Sequence, residues 1–386
     1  MSMMNPTLQA LPPLDRDVLG KLFGKSLLLT TDWTTAELEA LLAVAARLQA
    51  RDHGRGGVPA DNALIPNELA YAVFFDNSTR TKSAWAGAAS RLGMSPVIVD
   101  GSSTQVSHGE TAVETGAMLG MNAHAMGIRH DLILGEGNAF MRDVKKGIDD
   151  YLGATDKAQK VPVVNLQCDI DHPTQTLADL AWLREHFGDV DAIRGKKIGV
   201  SWAYSPSYAK PLSVPQGLIT LLTRFGADVT LAHPEGYQLM DSCVGAAGKQ
   251  ATESGGSFRV VGDMDQAFEG AAAVYPKSWG PYDLMLERVA ANRAADKDAL
   301  GDIERRALER NAKHTDWICD ERRMGLTEGG DALYMHCLPA DIGDEVTPGV
   351  MAKHTVNVAR EANWKVYVIM AMLAVGKVEG LADRLG

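Results

Sequence analysis

The sequence is poor in the cysteine arrangements that cross-link a chain or bind a metal. Its 386 residues include only four cysteines, which are scattered and form no Cys-x-x-Cys pair, and no paired-histidine zinc spacing accompanies them. We therefore expect neither a disulfide framework nor a metal site. Unpaired cysteines are typical of a reducing compartment, which predicts a cytoplasmic location.

The sequence also lacks an excess of positive charge and a long apolar run. Its formal net charge is −11, whereas a general nucleic-acid binder usually carries a basic surface, so we expect no nucleic-acid partner. The longest apolar stretch, VYVIMAMLAV from Val366, is about half a membrane span, and the start MSMMNPTLQALPPLD lacks the basic and apolar parts of a signal peptide. We expect no membrane partner and a buried C-terminal helix.

Neither of the common glycine-rich phosphate motifs is present. No Gly-x-x-x-x-Gly-Lys-Ser/Thr sequence occurs, which excludes a P-loop, and GEGNAF at 135–140 lacks the third glycine of the dinucleotide fingerprint. A dinucleotide-dependent oxidoreductase is therefore excluded on this ground. Any phosphate site must be built in another way.

What the chain does contain is an alternation of short apolar runs with longer helical patterns, which predicts β-α units and parallel sheets. The length favours two domains, and 46% hydrophobic and 23% charged residues suit a globular protein with a sizeable core. We predict an α/β protein with two doubly wound parallel-sheet domains and a cleft between them. Residues 284–326, rich in charged residues and alanine, predict long, solvated helices. The predicted strands cover residues 71–75, 96–100, 124–129, 161–166, 196–202, 228–232, 258–262, 273–276 and 332–336.

The stretch FFDNSTRTKSAW begins as a strand and ends in a burst of hydroxyl side chains. Ser78, Thr79 and Thr81 are good residues for the start of a helix, and one interpretation is that they only cap it. Arg80 favours another interpretation, because a cation in a first turn opposes the helix dipole. A bound anion removes that conflict, since backbone N–H groups, hydroxyls and a guanidinium would converge on it. The stretch therefore predicts a phosphate site.

Two further clusters stand at predicted strand ends. In DIDHPTQTLADLAWL, Pro173 suits the first helical position, which places His172 at the helix start with Gln175 in the first turn. A histidine there serves either a structural role or a catalytic one. In YMHCLPAD, Cys337 has no evident activating partner, so it is either a small buried apolar residue or part of a strand end that presents backbone carbonyls to a ligand.

Together, STRT (78–81), HPTQ (172–175) and HCLP (336–339) resemble three motifs of the aspartate/ornithine carbamoyltransferase family, in order and over roughly residues 30 to 376. The resemblance implies a carbamoyl-phosphate-binding domain at 1–185, joined by a C-terminal helix at 359–386. It implies an amine-substrate-binding domain at 186–358. It also implies chemistry without a metal, a cofactor or a covalent intermediate.

The resemblance assigns roles to individual residues. Catalysis would rest on Arg80, Thr81, Arg129, His172, Gln175 and Cys337. The phosphate would be held by residues 78–81, the carbonyl oxygen by Arg129 and His172, and the carbamoyl amino group by Gln175. Lys365 is the alternative to Arg360 as the C-terminal anion contact. The full set implied for carbamoyl phosphate is Ser78, Thr79, Arg80, Thr81, Arg129, His172, Gln175, Cys337, Leu338 and Arg360.

The second-substrate region departs from the ornithine and aspartate enzymes. AVYPKSWGPYD (273–283) has neither the acidic residue nor the Ser-Met-Gly of ornithine enzymes, and no arginine-containing loop for aspartate is found. With 201–217 it resembles the knotted branch of the family, which includes the acetylornithine and succinylornithine transcarbamylases, and within it most closely the YgeW type. That resemblance implies a trefoil knot in the second domain around a loop at 204–215, for which a rigid surface loop is the alternative. It implies a second-substrate pocket that contains Lys277, Ser278, Trp279, Tyr282 and His108.

Trp279 has an equally good interpretation as a core-packing residue. The loop 101–111, which contains His108, occupies the place of a family segment that reaches into a neighbouring subunit, which implies a homotrimer with shared active sites. The expected partners are thus carbamoyl phosphate, a small amine and further copies of the chain.

The expected function is transfer of the carbamoyl group to an unidentified amine, or the reverse, catabolic reaction. One alternative is an N-acetylornithine, N-succinylornithine or ornithine carbamoyltransferase of arginine and citrulline metabolism. Another is a non-catalytic anion-binding homologue, against which the joint presence of Arg80, Arg129, His172 and Gln175 argues.

Overall fold

A computed structural model describes most of the chain and divides it into two compact units. The first unit contains the described parts of 11–131, 135–181 and 363–386, and the second contains those of 132–134 and 182–362. Both boundaries near 181 and 362 fall inside continuous helices. The described residues are 11–54, 63–189, 191–208 and 210–386.

The first unit is built on a four-stranded parallel sheet with the order β2-β1-β3-β4. All four strands lie within two residues of the predicted ones at each end, so these predictions are confirmed. Every residue of β4 is buried, although β4 is the last strand of the sheet and contains Asn165 and Gln167. The strands are β1 (Leu69–Phe74), β2 (Ser95–Asp100), β3 (Ala125–His130) and β4 (Val163–Cys168).

Helices alternate with these strands, and two of them approach each other closely through glycine. A Cβ atom at Gly116 would lie 2.1 Å from the carbonyl oxygen of Val144, and one at Gly147 would lie 2.0 Å from that of Val113. Only glycine permits this contact between α4 and α5. The helices up to the unit boundary are α1 (Arg16–Leu22), α2 (Thr35–Gly54), α3 (Thr79–Leu92), α4 (Ala112–Gly120), α5 (Gly137–Ala154) and α6 (Pro173–Phe187).

The second unit contains a five-stranded parallel sheet with the order β7-β6-β5-β8-β9. The predicted bounds of β6 and β8 are met to the residue. The last strand is shorter than the predicted 332–336. The strands are β5 (Lys197–Ser201), β6 (Asp228–Ala232), β7 (Ser257–Val261), β8 (Ala273–Pro276) and β9 (Leu333–Tyr334).

The helices of the later part of the chain agree with one prediction and correct another. Residues 284–326 contribute to three helices of 12, 15 and 4 residues, of which the first two are largely exposed or half-buried, as predicted, and Asp296 caps the second by accepting a hydrogen bond from the backbone N–H of Ala299. The C-terminal helix begins at Pro348 rather than at 359 and ends at Lys377. These helices are α7 (Ser213–Arg224), α8 (Asp241–Ser254), α9 (Met264–Phe268), α10 (Tyr282–Arg293), α11 (Lys297–Asn311), α12 (Glu321–Met324), α13 (Pro348–Lys377) and α14 (Leu381–Leu385).

Both sheets reverse their strand order once. In the first unit the chain continues from β1 to β2 on one side and later returns to β3 on the other; in the second unit the same happens at β5, between β6 and β8. In open parallel sheets, ligands bind outside the carboxyl ends of the strands at such a reversal. Two α/β units with parallel sheets are therefore established, and each sheet has one such reversal. Over the described ranges, no helix is long and apolar enough to cross a membrane.

Candidate active site

The first turn of α3 begins where β1 ends, beside the reversal point of the first sheet. The side-chain oxygen of Ser78 accepts a hydrogen bond from the backbone N–H of Thr81 at 3.2 Å, and its hydroxyl donates to the Thr81 hydroxyl at 3.0 Å. The capping interpretation is thus correct for Ser78. It does not account for the arginine between these residues.

Arg80 lies in a first turn of α3 that contains no acidic residue. The N-terminus of a helix carries a positive partial charge, so a cation there is unfavourable unless an anion is also present. Thr79 is exposed and Arg80 is half-buried, so both side chains are accessible to a ligand. The combination of N–H groups, hydroxyls and a guanidinium suits a phosphate.

Arg129 lies at the end of β3, in register with Phe74 at the end of β1. Its guanidinium Nη2 lies 2.9 Å from the buried Asp131 carboxylate. The backbone N–H of Asp131 in turn donates to Asp76 Oδ2 at 2.9 Å. Because Asp76 lies two residues before Ser78, this chain of contacts ties the position of Arg129 to the start of α3.

The start of α6 follows along the same edge of the sheet, because β4 pairs with β3. The carbonyl of His172 accepts hydrogen bonds from the backbone N–H groups of Gln175 and Thr176, so His172 is at the helix start as predicted. Its ring Nδ1 lies 3.2 Å from the Thr174 hydroxyl, and the side chain is buried. The capping role uses the main chain of His172, so it does not explain why an imidazole is found here.

Two buried carboxylates hold this helix start. Asp171 Oδ2 accepts from both the backbone N–H and the hydroxyl of Thr30, at 2.8 and 2.7 Å. Burial raises the pKa of Asp171 to about 6, although these hydrogen bonds favour the charged form. Within α6, the side-chain nitrogen Nε2 of Gln175 donates to Asp179 Oδ1 at 2.6 Å.

In the second unit, Lys277, Ser278 and Trp279 follow β8 directly, at the reversal point of that sheet. The backbone N–H of Lys277 donates to the Ser201 carbonyl at 2.9 Å, which keeps the segment paired with the end of β5. All three side chains are buried, and Lys277 Nζ donates to the Ser278 carbonyl at 2.7 Å. A buried cation therefore lies just beyond the carboxyl end of β8.

Trp279 is held by hydrogen bonds inside the second unit. Its indole N–H donates to the Tyr237 carbonyl at 2.8 Å, and its own carbonyl accepts from the indole N–H of Trp202 at 2.9 Å. These contacts favour the core-packing interpretation. Tyr282, at the start of α10, is half-buried, and its backbone N–H donates to the Gly236 carbonyl at 3.1 Å.

A buried carboxylate, Glu345, links this segment to the loop after β9. Its Oε1 accepts from the backbone N–H of Ser278 at 2.7 Å, its Oε2 accepts from that of Asp341 at 2.8 Å, and Lys210 Nζ lies 2.9 Å from Oε2. Burial raises the pKa of Glu345, but the neighbouring His336 and lysines more than offset this, so its pKa lies below the ordinary value. We call Lys210, Ser278, His336, Asp341 and Glu345 the Glu345 cluster.

Cys337 and Leu338 follow β9 through His336. The backbone N–H of His336 donates to Glu361 Oε2 at 3.1 Å, and that of Leu338 donates to His336 Nδ1 at 2.9 Å. Leu338 has φ 52°, in the left-handed region that a branched side chain rarely adopts. Residues held in that region are often found at functional sites, which suits a turn fixed by His336. Cys337 is half-buried.

The remaining predicted site residues are His108, Arg360 and Lys365. His108 is exposed at the end of a short 3-10 helix, Gln105–His108, in the loop that follows the outer strand β2, and its Nδ1 lies 3.2 Å from the Ser107 hydroxyl. Arg360 is half-buried and Lys365 is buried, both on α13. In the part of the chain that the structure describes, no group of three or more histidine, cysteine or acidic side chains is arranged to hold a metal ion.

Both units of the chain match domain models of one protein family. Residues 25–185 match the carbamoyl-P binding domain of aspartate/ornithine carbamoyltransferase, and residues 212–375 match the Asp/Orn binding domain of the same family. The chain belongs to the aspartate/ornithine carbamoyltransferase family. The predicted family and enzyme class are thereby confirmed.

Individual relatives of this carbamoyltransferase cover nearly the whole chain. YgeW of Escherichia coli (strain K12), whose own assignment as a carbamoyltransferase is provisional, is 50% identical in an alignment of 361 residues that covers 91% of this chain and 89% of YgeW. The N-acetylornithine carbamoyltransferase of Xanthomonas axonopodis pv. citri (strain 306) is 32% identical over 93% of this chain and 99% of its own. A crystal structure of acetylornithine transcarbamylase complexed with acetylcitrulline is similar, with a TM-score of 0.73 and 29% identity, over 91% of this chain and 98% of that one.

Sequence reasoning missed the carboxylates that contact the predicted site residues. Two of these contacts could have been predicted from the sequence. Asp131 follows Arg129 by two residues at a strand end, and Asp179 follows Gln175 by four residues, the spacing that brings two side chains together on a helix. The contact of Glu345 with Ser278 could not, since it joins residues 67 positions apart. The missed residues hold predicted site residues in place.

Proposed function

We propose that this carbamoyltransferase moves the carbamoyl group of carbamoyl phosphate to the amine of a small substrate, or catalyses the reverse reaction with the same residues. The observation that carries the proposal is the acid-free first turn of α3, with Arg80 in it and Arg129 tied to it through Asp131 and Asp76. This is an anion site at the reversal point of the sheet. The family supplies the identity of the anion.

In the first unit, residues 78–81 would hold the phosphate through hydroxyls, backbone N–H groups and the Arg80 guanidinium. Arg129 and His172 would donate hydrogen bonds to the carbonyl oxygen, and Gln175 would accept one from the carbamoyl amino group. The register of β1, β3 and β4, whose carboxyl ends are adjacent, supports this grouping.

In the second unit, Cys337 and Leu338 would contact the carbamoyl group, and Arg360 would be the C-terminal anion contact. Lys365, which belongs to the first unit, is the alternative to Arg360. Lys277, Ser278 and Tyr282 would line the amine pocket, to which Trp279 contributes as a packed wall. Their position at the reversal point of the second sheet supports this assignment.

The proposed reaction is attack of a neutral amine on the carbonyl carbon. A tetrahedral oxyanion forms, to which Thr81, Arg129 and His172 would donate; losing one such donor typically costs about 100- to 1000-fold in rate. The C–O bond to phosphate then breaks, and the leaving phosphate takes the amine proton. A pH–rate profile that required an enzyme base near neutrality would contradict this last step.

We also propose a homotrimer with shared active sites, in which the exposed loop that contains His108 reaches a neighbouring copy. A trefoil knot around residues 204–215 and a cytoplasmic location complete the proposal. The resemblance to the knotted branch supports the first two, and the unpaired cysteines support the third.

A second candidate for the amine is an N-acylornithine. It is favoured by the identity to the Xanthomonas N-acetylornithine enzyme and by the likeness to the structure complexed with acetylcitrulline. The absence from 273–283 of the acidic residue and the Ser-Met-Gly that ornithine enzymes carry disfavours free ornithine.

The test is carbamoyl-phosphate-dependent formation of a ureido product, measured by mass spectrometry across a panel of amines. The panel contains ornithine, N-acetylornithine, N-succinylornithine, aspartate, putrescine and diaminopropionate, each with wild-type enzyme and with Arg80→Ala. A product that is lost in Arg80→Ala supports the proposal and names the substrate. No product and no binding of carbamoyl phosphate would overturn it.

A further inference from the structure

The first turns of α6 combine polar chemistry with complete burial. Gln175 is 1% exposed and Asp179 is 0% exposed, and Thr174 and Thr176 beside them are equally buried. Burial of a polar or charged side chain is unfavourable unless it is hydrogen-bonded. We therefore expect these side chains to be held in fixed positions by hydrogen bonds.

Gln175 and Asp179 form a hydrogen bond whose direction is fixed by chemistry. They lie four residues apart, on one face of α6, and Gln175 Nε2 donates to Asp179 Oδ1 at 2.6 Å. A carboxylate accepts hydrogen bonds and offers none, so the end of the amide that faces Asp179 must be the nitrogen. The carbonyl oxygen Oε1 is then at the other end of the amide.

We propose that Asp179 is a positioning residue that orients the Gln175 amide and thereby selects an acyl phosphate whose acyl group carries N–H. The inference rests on the proposed role of Gln175 as the contact of the carbamoyl amino group. With Oε1 presented to the ligand, the amino group of carbamoyl phosphate has an acceptor. Acetyl phosphate, which is similar in size, would bring a methyl group and leave Oε1 unpaired, which is costly in a buried site.

Removing the carboxylate removes the orientation. With asparagine at 179, the side-chain amide of either residue can turn by 180°. The Gln175 NH2 group, a hydrogen-bond donor, can then face the amino group of carbamoyl phosphate, which is also a donor. Only the fraction of molecules with the correct orientation binds carbamoyl phosphate well. Acetyl phosphate, whose methyl group makes no hydrogen bond, is insensitive to this change.

The experiment compares the dissociation constants of carbamoyl phosphate and acetyl phosphate, measured by isothermal titration calorimetry. Their ratio cancels every effect on phosphate binding and on the stability of the fold. For wild type we expect carbamoyl phosphate to bind about tenfold or more tightly than acetyl phosphate. For Asp179→Asn we expect this ratio to fall by about three- to tenfold, toward the value of Gln175→Met, with acetyl phosphate affinity unchanged within about twofold.

Asp150→Asn, the same chemical change on the exposed face of α5, is the matched control and should leave the ratio unchanged. If the ratio of the two dissociation constants is also unchanged in Asp179→Asn, or if both affinities fall in parallel, the inference about Asp179 is overturned. The proposed phosphate site at residues 78–81 is not affected by that result. Wild type that binds neither ligand overturns the proposed function as well.

If Asp179→Asn does not fold, NMR of the wild-type protein gives a second test. The side-chain amide protons of Gln175 are assigned by their absence in Gln175→Met. They should be protected from exchange without ligand, and rapid exchange would contradict the hydrogen bond to Asp179.

Discussion

Replacement of Asp171 by asparagine should remove a pH dependence from the stability of this protein. Asp171 is fully buried at the start of α6, where it accepts two hydrogen bonds from Thr30. Burial raises the pKa of this carboxyl from 3.8 to about 6. The folded state therefore prefers the protonated form more strongly than the unfolded state does.

The sign and size of the effect follow from linkage. A carboxyl whose pKa is raised by folding contributes stability that is fully present below pH 3.8 and is lost as the pH rises through 6. A displacement from 3.8 to about 6 corresponds to a loss of about 3 kcal/mol in the free energy of unfolding, of which about 1 kcal/mol falls between pH 5 and 7. Asparagine at 171 has no proton to release, and its side-chain oxygen can still accept from the Thr30 backbone.

The assay is urea denaturation of wild type and Asp171→Asn at half-unit steps from pH 5 to 8. The difference in unfolding free energy between the two proteins cancels all other titrating groups. It should shift in favour of Asp171→Asn by about 1 kcal/mol between pH 5 and 7. Two curves that stay parallel over this range would refute the reasoning.

Three further predictions concern the packing and the site. Gly147→Ala, whose Cβ would lie 2.0 Å from a carbonyl oxygen, should lower the unfolding free energy by about 3 kcal/mol or more, whereas Gly153→Ala on the same helix, with nothing within 4 Å, should be neutral or slightly stabilising in thermal denaturation. Asp131→Asn removes the ion pair that holds Arg129 and should weaken carbamoyl phosphate binding about tenfold in calorimetry. An unchanged affinity would show that this ion pair does not position Arg129 for the ligand. Glu345→Gln removes one of the two carboxylates that pair with half-buried Lys210, the other being Asp341, and should destabilise the protein by about 2 kcal/mol in urea denaturation; a loss below about 0.5 kcal/mol would show that the Glu345 cluster is not structural.

The strands could be predicted because their signals are local. Residues 228–232 (DVTLA) and 273–276 (AVYP) are short segments with mostly apolar side chains, and β6 and β8 have the same bounds as these segments. The start of α13 at Pro348 could not be found from the apolar run, because its first three turns carry mostly exposed side chains. The break before α11 had a readable signal in Asp296, a side chain suited to capping.

The candidate site was readable only where its residues follow one another in sequence. Ser78 to Thr81, and His172 to Gln175, each form one turn of a helix, so their chemistry is visible in a short segment. The contacts of Glu345 with Ser278 and Lys210 depend on how the second unit folds, and no local sequence pattern predicts them. Sequence reasoning finds such a carboxylate only when, like Asp179, it lies on the same helix face as its partner.

The proposed phosphate site is tested most simply by measuring how tightly the wild-type protein and Arg80→Ala bind carbamoyl phosphate, using isothermal titration calorimetry. Lys146→Ala, which removes an exposed cation of the same unit, is the control for net charge. We expect wild type and Lys146→Ala to bind carbamoyl phosphate, and Arg80→Ala to bind it about 10- to 100-fold more weakly. If wild type does not bind, or if Arg80→Ala binds as tightly as wild type, the first turn of α3 is not a carbamoyl phosphate site.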